Sequence, residues 1–205
     1  MKLTRRFSLA FVVCLFVVFP ITAFLCGTER WEVKVCQDEH VKYLFKDFDT
    51  DTEELIAPRH TTIAKLHAYA WPFGNNKHPP HWSWYQRSTS KAEYQIWEVN
   101  ARFFKKKDET DLDYHLILKS GQRTLVAEIP SPDCLDDTPE PLRGMIIQAR
   151  QDFDTWFAVH SSDGPEFNQK VRVTGVGMFD TLGHAEGTSP NGIELHPVIK
   201  IEFLE

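Results

Sequence analysis

The chain has 205 residues and a formal net charge of −6, and 42% of its residues are hydrophobic. That length is enough for one globular domain with a sizeable apolar core. Its 15 phenylalanines, six tryptophans and five tyrosines exclude a disordered or low-complexity chain, because such chains are poor in aromatic residues. The chain has no internal period of the kind that marks a repeat protein.

The first 26 residues have the pattern of an export signal. Lys2, Arg5 and Arg6 precede an uncharged apolar run over residues 7–26, as in the basic and apolar regions of a secretory signal peptide. The run is also long enough to span a bilayer. We therefore predict either a cleaved signal peptide over residues 1–25 or an uncleaved membrane anchor. Both alternatives predict an exported protein, periplasmic or extracellular.

The charge of the exported part restricts its partners. Removing residues 1–25 takes away three basic and no acidic residues, which changes the charge from −6 to −9. So acidic a chain disfavours nucleic acid as a partner. It also predicts membrane contact only through the N-terminal segment. The expected partner is a ligand or envelope component that is neutral, cationic or bridged by a metal ion.

The cysteines predict one disulfide. Cys14 lies in the apolar run, and Cys26, Cys36 and Cys134 follow it. Disulfides are favoured outside the cytoplasm, and three cysteines leave one over. Either Cys26 pairs with Cys134, or a lipidated Cys26 leaves Cys36 to pair with Cys134; we favour the first. The chain has no CxxC motif that would indicate a zinc knuckle or a dithiol redox site.

Residues 26–93 are predicted to form an N-terminal extension. Alternating residues over 31–35 indicate a short edge strand. Thr61 or Thr62 can cap a short helix. Residues 72–85, rich in proline, glycine and aromatics, predict an irregular loop, which either packs on the domain or offers a stacking surface for a ligand.

Residues 94–205 are predicted to form a small barrel. Apolar residues alternate with polar ones, as in half-buried strands, over 94–103, 114–119, 125–129, 171–179 and 193–203. One strong helix begins at Thr138 and Pro139 and carries an apolar stripe to Phe157. Three strands, a helix and two strands are the order of the oligonucleotide- and oligosaccharide-binding (OB) fold. We therefore predict a mostly β protein with one main helix, a five-stranded OB-like barrel (β-β-β-α-β-β) preceded by the extension.

Polar residues on the outer faces of these strands are the candidate site. His115, Glu128, Glu194 and His196 alternate with apolar residues, so we expect them to project outward from the barrel. The loop between the last two strands flanks the ligand face in this fold. The candidate binding residues are Trp97, His115, Glu128, Asp180, His184, Glu194 and His196.

Two functions are compatible with these residues. The first is an exported or envelope-associated OB-like binding module for an unknown ligand. The alternative is a metal-dependent hydrolase of the phosphodiesterase type, in which His115, Glu128, Asp180 and His196 hold a divalent cation whose bound water attacks the substrate. The sequence contains none of the motifs GxSxG, HExxH or GxxxxGK that mark other hydrolases and nucleotide-binding enzymes.

Several segments also resemble a family of uncharacterised secreted bacterial proteins. They are CGTERWEVK (26–34), TTIAKL (61–66), DYHLILKSG (113–121), AEIPSPDC (127–134), and the run VTGVGMFD with PNGIELHPV (173–180 and 190–198). The resemblance implies an exported protein but no activity. Cys26 and Cys134 fall inside the shared segments and Cys36 does not, which supports pairing of the first two. After Asp180 the chain departs from the His-Gly-Gln stretch of the family and has Thr181 to His184 instead.

Overall fold

The computed structural model describes residues 57–79, 88–108, 112–136 and 138–205. The strands in these ranges are β1 (Arg59–Thr61), β2 (Ile96–Asp108), β3 (Tyr114–Ser120), β4 (Arg123–Ile129), β5 (Gln169–Phe179) and β6 (Ile193–Phe203). The α-helices are α1 (Ile63–Leu66) and α2 (Leu142–His160). Short 3-10 helices cover Lys91–Tyr94, Pro132–Cys134 and Ser161–Asp163.

Five of the strands close a barrel. β2, β3, β4, β6 and β5 follow one another around it, and β5 pairs back with β2. Neighbouring barrel strands are antiparallel except β4 and β6, which are parallel. Along the chain, three barrel strands are followed by α2 and then by two strands, which is the order of the OB fold. The predicted fold class is therefore confirmed.

The two faces of each barrel strand differ in polarity. In β3, Leu116 and Leu118 belong to the apolar core, and His115 and Ile117 alternate with them, so they point to the opposite face. The same alternation places Ala127 of β4 in the core next to Glu128. The barrel interior is thus apolar, and the polar residues of these strands lie on its outer side.

β2 is longer than its sequence pattern indicates. The charged residues from Lys105 to Asp113 predict a turn, but β2 runs to Asp108. Lys105 and Lys106 pair with Ile117 and Leu116 of β3 after an irregularity in the register. The turn prediction is wrong here because lysine stems can cover a strand surface while their ammonium groups stay in water.

Helix α2 packs on the barrel core and begins later than predicted. The helix starts at Leu142, and Thr138 is a buried residue ahead of it. The Glu140 carboxylate accepts a hydrogen bond from the Gly144 N–H at 3.1 Å. The buried face of α2 consists of Leu142, Ile146, Ala149 and Phe153.

Part of the predicted extension packs into the barrel core. β1 pairs in parallel with β2, with Arg59 opposite Trp97. Thr62 caps α1 by accepting a hydrogen bond from the Lys65 N–H at 3.2 Å. Ile63 and Leu66 of α1 are fully buried in the same core as the barrel strands. This part of the chain before the barrel therefore contributes both a strand and core side chains.

Several predictions concern residues that the structure does not describe. The apolar run 7–26, the edge strand 31–35, the partners Cys26 and Cys36, and the end of the loop 72–85 lie outside the described residues. Cys134 lies in the described part of the chain but Cys26 and Cys36 do not, so its pairing with Cys26 stays a prediction. None of the helices in the described part of the chain has the length and apolar character needed to cross a membrane.

Candidate functional site

Four candidate residues meet on the outer side of β3, β4 and β6. His115 and Glu128 are directly opposite each other in the β3–β4 pair, and Glu194 and His196 belong to β6. They project outward from the barrel, as expected from the alternation with core residues, but they are not exposed to solvent. His115 and His196 are each 1% exposed and Glu194 is 2% exposed. These titratable groups are therefore withdrawn from water although they lie outside the apolar interior.

The loop Asp180–Gly192 covers this face. The backbone carbonyl of Glu186 lies 3.1 Å from Nε2 of His115. At Gly187 a Cβ atom would come within 2.9 Å of the Ile117 side chain, and the backbone has φ of +91°. Only a glycine passes so close to a neighbour in this left-handed conformation without strain. The loop backbone therefore lies directly on the outer residues of β3.

Contacts with the chain before the barrel hold the same loop in place. The Asn191 side-chain amide donates to the carbonyl oxygens of Leu66 at 3.0 Å and Tyr69 at 2.9 Å. The Leu182 N–H donates to the Lys77 carbonyl oxygen at 2.9 Å. These partners are more than 100 residues away in sequence, so the position of the loop depends on tertiary contacts.

Close contacts connect the two buried histidines with neighbouring carboxyl groups. His115 Nδ1 lies 2.8 Å from Glu128 Oε1. His196 Nδ1 lies 3.5 Å from Glu128 Oε2 and 3.7 Å from Glu194 Oε1, and His196 Nε2 lies 3.7 Å from Asp113 Oδ2. The first distance is that of a hydrogen bond, and the other three are too long for good ones. His196 is thus surrounded by three carboxylates.

Asp113 was not among the predicted site residues. It directly precedes β3, is 3% exposed, and its Oδ1 accepts a hydrogen bond from the Ser131 N–H at 2.7 Å. The signal was present in the sequence, because Asp113 lies two positions before His115 and strand residues two apart share a face. The predicted strand begins at Tyr114, one residue after Asp113.

Asp180 and His184 form a pair at the start of the covering loop. His184 Nε2 lies 2.9 Å from Asp180 Oδ2, and the backbone carbonyl of Thr181 lies 2.9 Å from Nδ1. The hydrogen bond to Asp180 raises the pKa of His184 to about 9, against the opposing effect of partial burial. His184 is therefore protonated at neutral pH.

Glu194 lies in an environment that disfavours its negative charge. Burial raises its pKa well above the usual value, and the neighbouring charges of Glu128 and Asp180 raise it further. Its Oε1 atom is buried and makes no hydrogen bond in the part of the chain that the structure describes. A buried carboxyl oxygen without a donor costs free energy, so this position favours a cation or a bound proton.

Three of these residues can share one metal ion. Asp113, Glu128 and His196 each offer a ligand atom, and the three atoms lie within 4.8 Å of one another. Ligand atoms around one Zn²⁺ ion, each about 2.0–2.1 Å from it, lie roughly 3.3 Å apart. Small side-chain movements would therefore bring the three atoms into a coordination sphere. Of the predicted metal set, Glu128 and His196 belong to this group. His115 lies outside it and contacts Glu128, and Asp180 contacts His184.

Trp97 does not join the other candidate residues. It is 7% exposed, and its Nε1–H donates to the Ala92 carbonyl oxygen at 2.9 Å. Its ring lies 6.0 Å from that of Tyr69, and both rings line a shallow cavity beside Arg59 and His60 of β1. The structure thus brings together six of the seven candidate residues and places the tryptophan at a different surface.

A separate buried carboxylate lies just before the barrel. Glu93, which is fully buried, accepts hydrogen bonds from the Ser88 N–H at 2.6 Å and from the Phe179 N–H at 3.1 Å. The Ser88 hydroxyl also contacts the carboxylate. Burial raises the pKa of Glu93 to about 7, although the backbone hydrogen bonds act in the opposite direction. This residue connects the segment after the undescribed residues 80–87 to the start of the covering loop.

Comparison with other proteins adds little to this description. No protein-family model and no curated protein matches the chain. Among the solved structures it is similar to a protein named as an aspartyl-tRNA synthetase from Leishmania major Friedlin, with 15% identity and a TM-score of 0.39. The match covers 75% of this chain and only 22% of that protein. So low a similarity carries no argument about function, and the fold assignment rests on the strand order and closure described above.

Proposed function

We propose that this protein is an OB-like binding module whose outer face binds a divalent metal ion through Asp113, Glu128 and His196. The observation that carries the proposal is the approach of their ligand atoms to within 4.8 Å of one another at a buried position. A metal ion there would lie between the barrel and the covering loop Asp180–Gly192. The proposal gives the predicted binding module a ligand of defined chemistry.

The charge balance of the site supports a bound cation. Glu128 and Asp180 both raise the pKa of Glu194, because like charges close together in a poorly solvated place repel one another. A divalent ion beside these carboxylates would offset that repulsion. The buried Oε1 of Glu194, which lacks a hydrogen bond among the described residues, is available as a further ligand or as an acceptor for a metal-bound water.

The types of ligand indicate the kind of ion. Imidazole nitrogen suits zinc and other first-row transition metals, and carboxylate oxygen is accepted by zinc and manganese. Calcium takes six to eight oxygen ligands, more than the two carboxylates and one imidazole of this group supply. We therefore propose Zn²⁺ or Mn²⁺ for the site.

The burial of the site favours binding over hydrolysis. Structural zinc sites are closed by protein ligands, whereas catalytic sites keep an open position for water and substrate. His196 and Asp113 are 1% and 3% exposed, and the covering loop lies over this face. A hydrolase of the phosphodiesterase type would need that loop to open. We propose instead that the ion has a structural role and links β4, β6 and the start of β3, which carry its ligands.

We also propose that the protein acts outside the cytoplasm. The basic and apolar segments over residues 1–26 support export, and an exported domain supports pairing of Cys26 with Cys134. The formal charge of the exported part would then be −9. Such a domain would meet metal ions and envelope components outside the cytoplasm, and nucleic acid is not a proposed partner.

The decisive experiment measures metal content and metal-dependent stability of the full chain. The protein is purified without chelator, analysed by inductively coupled plasma mass spectrometry, then stripped and titrated with Zn²⁺, Mn²⁺ or Ca²⁺ during thermal unfolding. We expect close to one equivalent of zinc or manganese. We also expect stabilisation by about 2.7 kcal/mol at a free ion concentration 100 times the Kd. Hydrolysis of a chromogenic phosphodiester is assayed in parallel and should stay at background.

Matched variants connect the effect to the proposed ligands. Glu128→Gln keeps the shape of the side chain and removes its charge, and Asp113→Asn keeps an oxygen for the Ser131 N–H; both should abolish the zinc or manganese shift. His60→Gln, at the exposed His60–Glu98 pair (2.7 Å), should retain the full shift. A wild-type protein that contains neither zinc nor manganese and is stabilised by neither ion contradicts the proposal. Metal-dependent phosphodiester cleavage would instead support the hydrolase alternative.

A further inference from the structure

A second charged region lies at the other end of β3. A cleft of about 540 Å³ is formed by β2, the end of β3 and the start of β5. Its lining includes Arg102, Lys119 and Lys170, together with Phe104 and Asn100. The volume lies in the range of small-molecule binding pockets, about 300–1,000 Å³. None of the proposed metal ligands takes part in this cleft.

The charge of the cleft is opposite to that of the whole protein. Its lining residues include three cations and no carboxylate, although the chain has a formal net charge of −6. Other cations of the barrel strands are neutralised: Arg172 lies 3.4 Å from Glu98, and Lys105 lies 2.9 Å from Glu186. In the described part of the chain no aspartate or glutamate side chain lies at ion-pair distance from any of the three cleft cations, although Lys105 and, to a smaller extent, Lys119 lower the pKa of Glu186. Three cations around one concave surface create a positive local potential.

Contacts with neighbouring groups hold these cations in position. The Arg102 guanidinium donates to the Asn168 carbonyl oxygen at 2.8 Å, and the Lys119 ammonium lies over the ring of Phe104. The Lys170 ammonium donates to the backbone oxygen of Glu205, the last residue of the sequence. A carbonyl oxygen or an aromatic ring fixes the direction of a cation without cancelling its charge. The charges of Arg102 and Lys119 therefore remain available to an anion in the cleft.

We propose that this cleft binds a small organic phosphate. A planar guanidinium presents paired donors to phosphate oxygens, and lysine adds a compact positive charge. Arg102 uses one of its donors for Asn168 and keeps others for a ligand. Asn100 and Ser120 line the same cleft and supply neutral hydrogen-bonding groups for the organic part. The inference is independent of the metal site, because the two regions share no residue.

The test uses glycerol 3-phosphate as the probe, with the full chain and isothermal titration calorimetry at low ionic strength. We expect saturable binding in the high micromolar to low millimolar range that weakens as salt is raised. Inorganic phosphate should bind at least fivefold more weakly, because it cannot contact the neutral groups of the cleft. Chemical-shift changes confined to residues of the cleft would locate the site.

Two triple variants distinguish binding in the cleft from a nonspecific effect of the protein's overall charge. Arg102→Gln, Lys119→Gln and Lys170→Gln together should weaken binding at least tenfold. Lys65→Gln, Lys77→Gln and Lys91→Gln remove the same charge from exposed positions elsewhere and should change it less than twofold. The proposal is overturned if the wild-type protein shows no saturable binding, if both triple variants weaken it equally, or if inorganic phosphate binds as tightly as the ester.

Discussion

The two ends of β3 carry charge in opposite ways. At one end His115 lies among carboxylates and is 1% exposed under a loop that is held in place at several points. At the other end Lys119 lines an open cleft with two further cations and no acid. The residues are only four positions apart on one strand. The difference shows that position in the barrel, and not residue type, decides whether a charge must find a partner within the protein.

The physical reason is the distance of each group from water. Two charges about 4 Å apart interact by roughly 1 kcal/mol in bulk water and several times more in a poorly solvated environment. The carboxylates near Glu194 therefore shift its pKa strongly, whereas the cleft cations repel one another through solvent. The buried end is expected to contribute to folding and the open end to binding.

The largest expected effect is a difference in stability between variants at the two ends of β3. His115→Ala empties a buried position and removes the partner of the partly buried Glu128 carboxylate (2.8 Å), so we expect a loss of about 3 kcal/mol in the free energy of unfolding. Lys119→Ala, at the open end, should cost about 1 kcal/mol or less. Urea denaturation of both variants measures the difference. Equal losses would mean that the two ends are not energetically distinct.

The next effect tests whether burial alone perturbs a carboxylate. Glu93 has a pKa of about 7 in the folded protein against a usual value of 4.5, with burial as the main cause. Because the folded state holds this proton more tightly, the contribution of Glu93 to stability falls as the pH rises from about 4.5 to 7. The loss is at most about 3 kcal/mol.

Glu93→Gln removes that proton equilibrium and nothing else that titrates. The free energy of unfolding of both proteins is measured by urea denaturation at steps from pH 4.5 to 8. The wild-type curve should fall more steeply than the variant curve between pH 4.5 and 7, and the two should run parallel above about pH 7.5. Parallel curves over the whole range would show that Glu93 ionises normally.

The smallest of the three effects concerns the covering loop. Gly187→Ala would place a Cβ within 2.9 Å of Ile117 at a φ of +91°, whereas Gly183→Ala meets the same kind of positive φ (+67°) with no atom within 4 Å. We expect the free energy of unfolding to fall by about 2–3 kcal/mol in Gly187→Ala. In Gly183→Ala it should fall by about 1 kcal/mol, because only the backbone conformation is unfavourable there. The difference, measured by urea denaturation, reports how closely the loop packs on β3. If the two variants lose the same stability, the loop does not press on Ile117.

Much of the fold could be predicted because it depends on local patterns. The alternation of Val171 and Val173 with polar neighbours predicts the β5 strand, and the stripe through Ile146 and Phe153 predicts the long helix. Their order along the chain was enough to recognise an OB-like barrel. The boundaries were less certain: β2 continues through its lysines to Asp108, and α2 begins at Leu142, because pairing with β3 and packing on the core override local signals.

The sequence predicted most of the residues of the candidate site but not their burial. Strand alternation brought His115, Glu128, Glu194 and His196 to one face, and the fold placed the loop with Asp180 and His184 beside them. The sequence also predicted Trp97 as a member of this group, but the structure places it elsewhere. Its neighbours are Tyr69 and residues of β1, and the strand pattern does not show these contacts. Asp113 was missed by one residue at the start of a strand.

The sequence by itself therefore determined the barrel, its apolar interior and the clustering of histidines and carboxylates outside it, because these follow from period-two alternation between neighbours in the chain. Only the tertiary structure decided that this cluster is buried. Its burial depends on Asn191 reaching the carbonyl oxygens of Leu66 and Tyr69, across more than 120 positions, and on Gly187 fitting against Ile117. Such contacts between distant residues leave no local pattern, yet they set the dielectric environment on which the chemistry of the cluster depends.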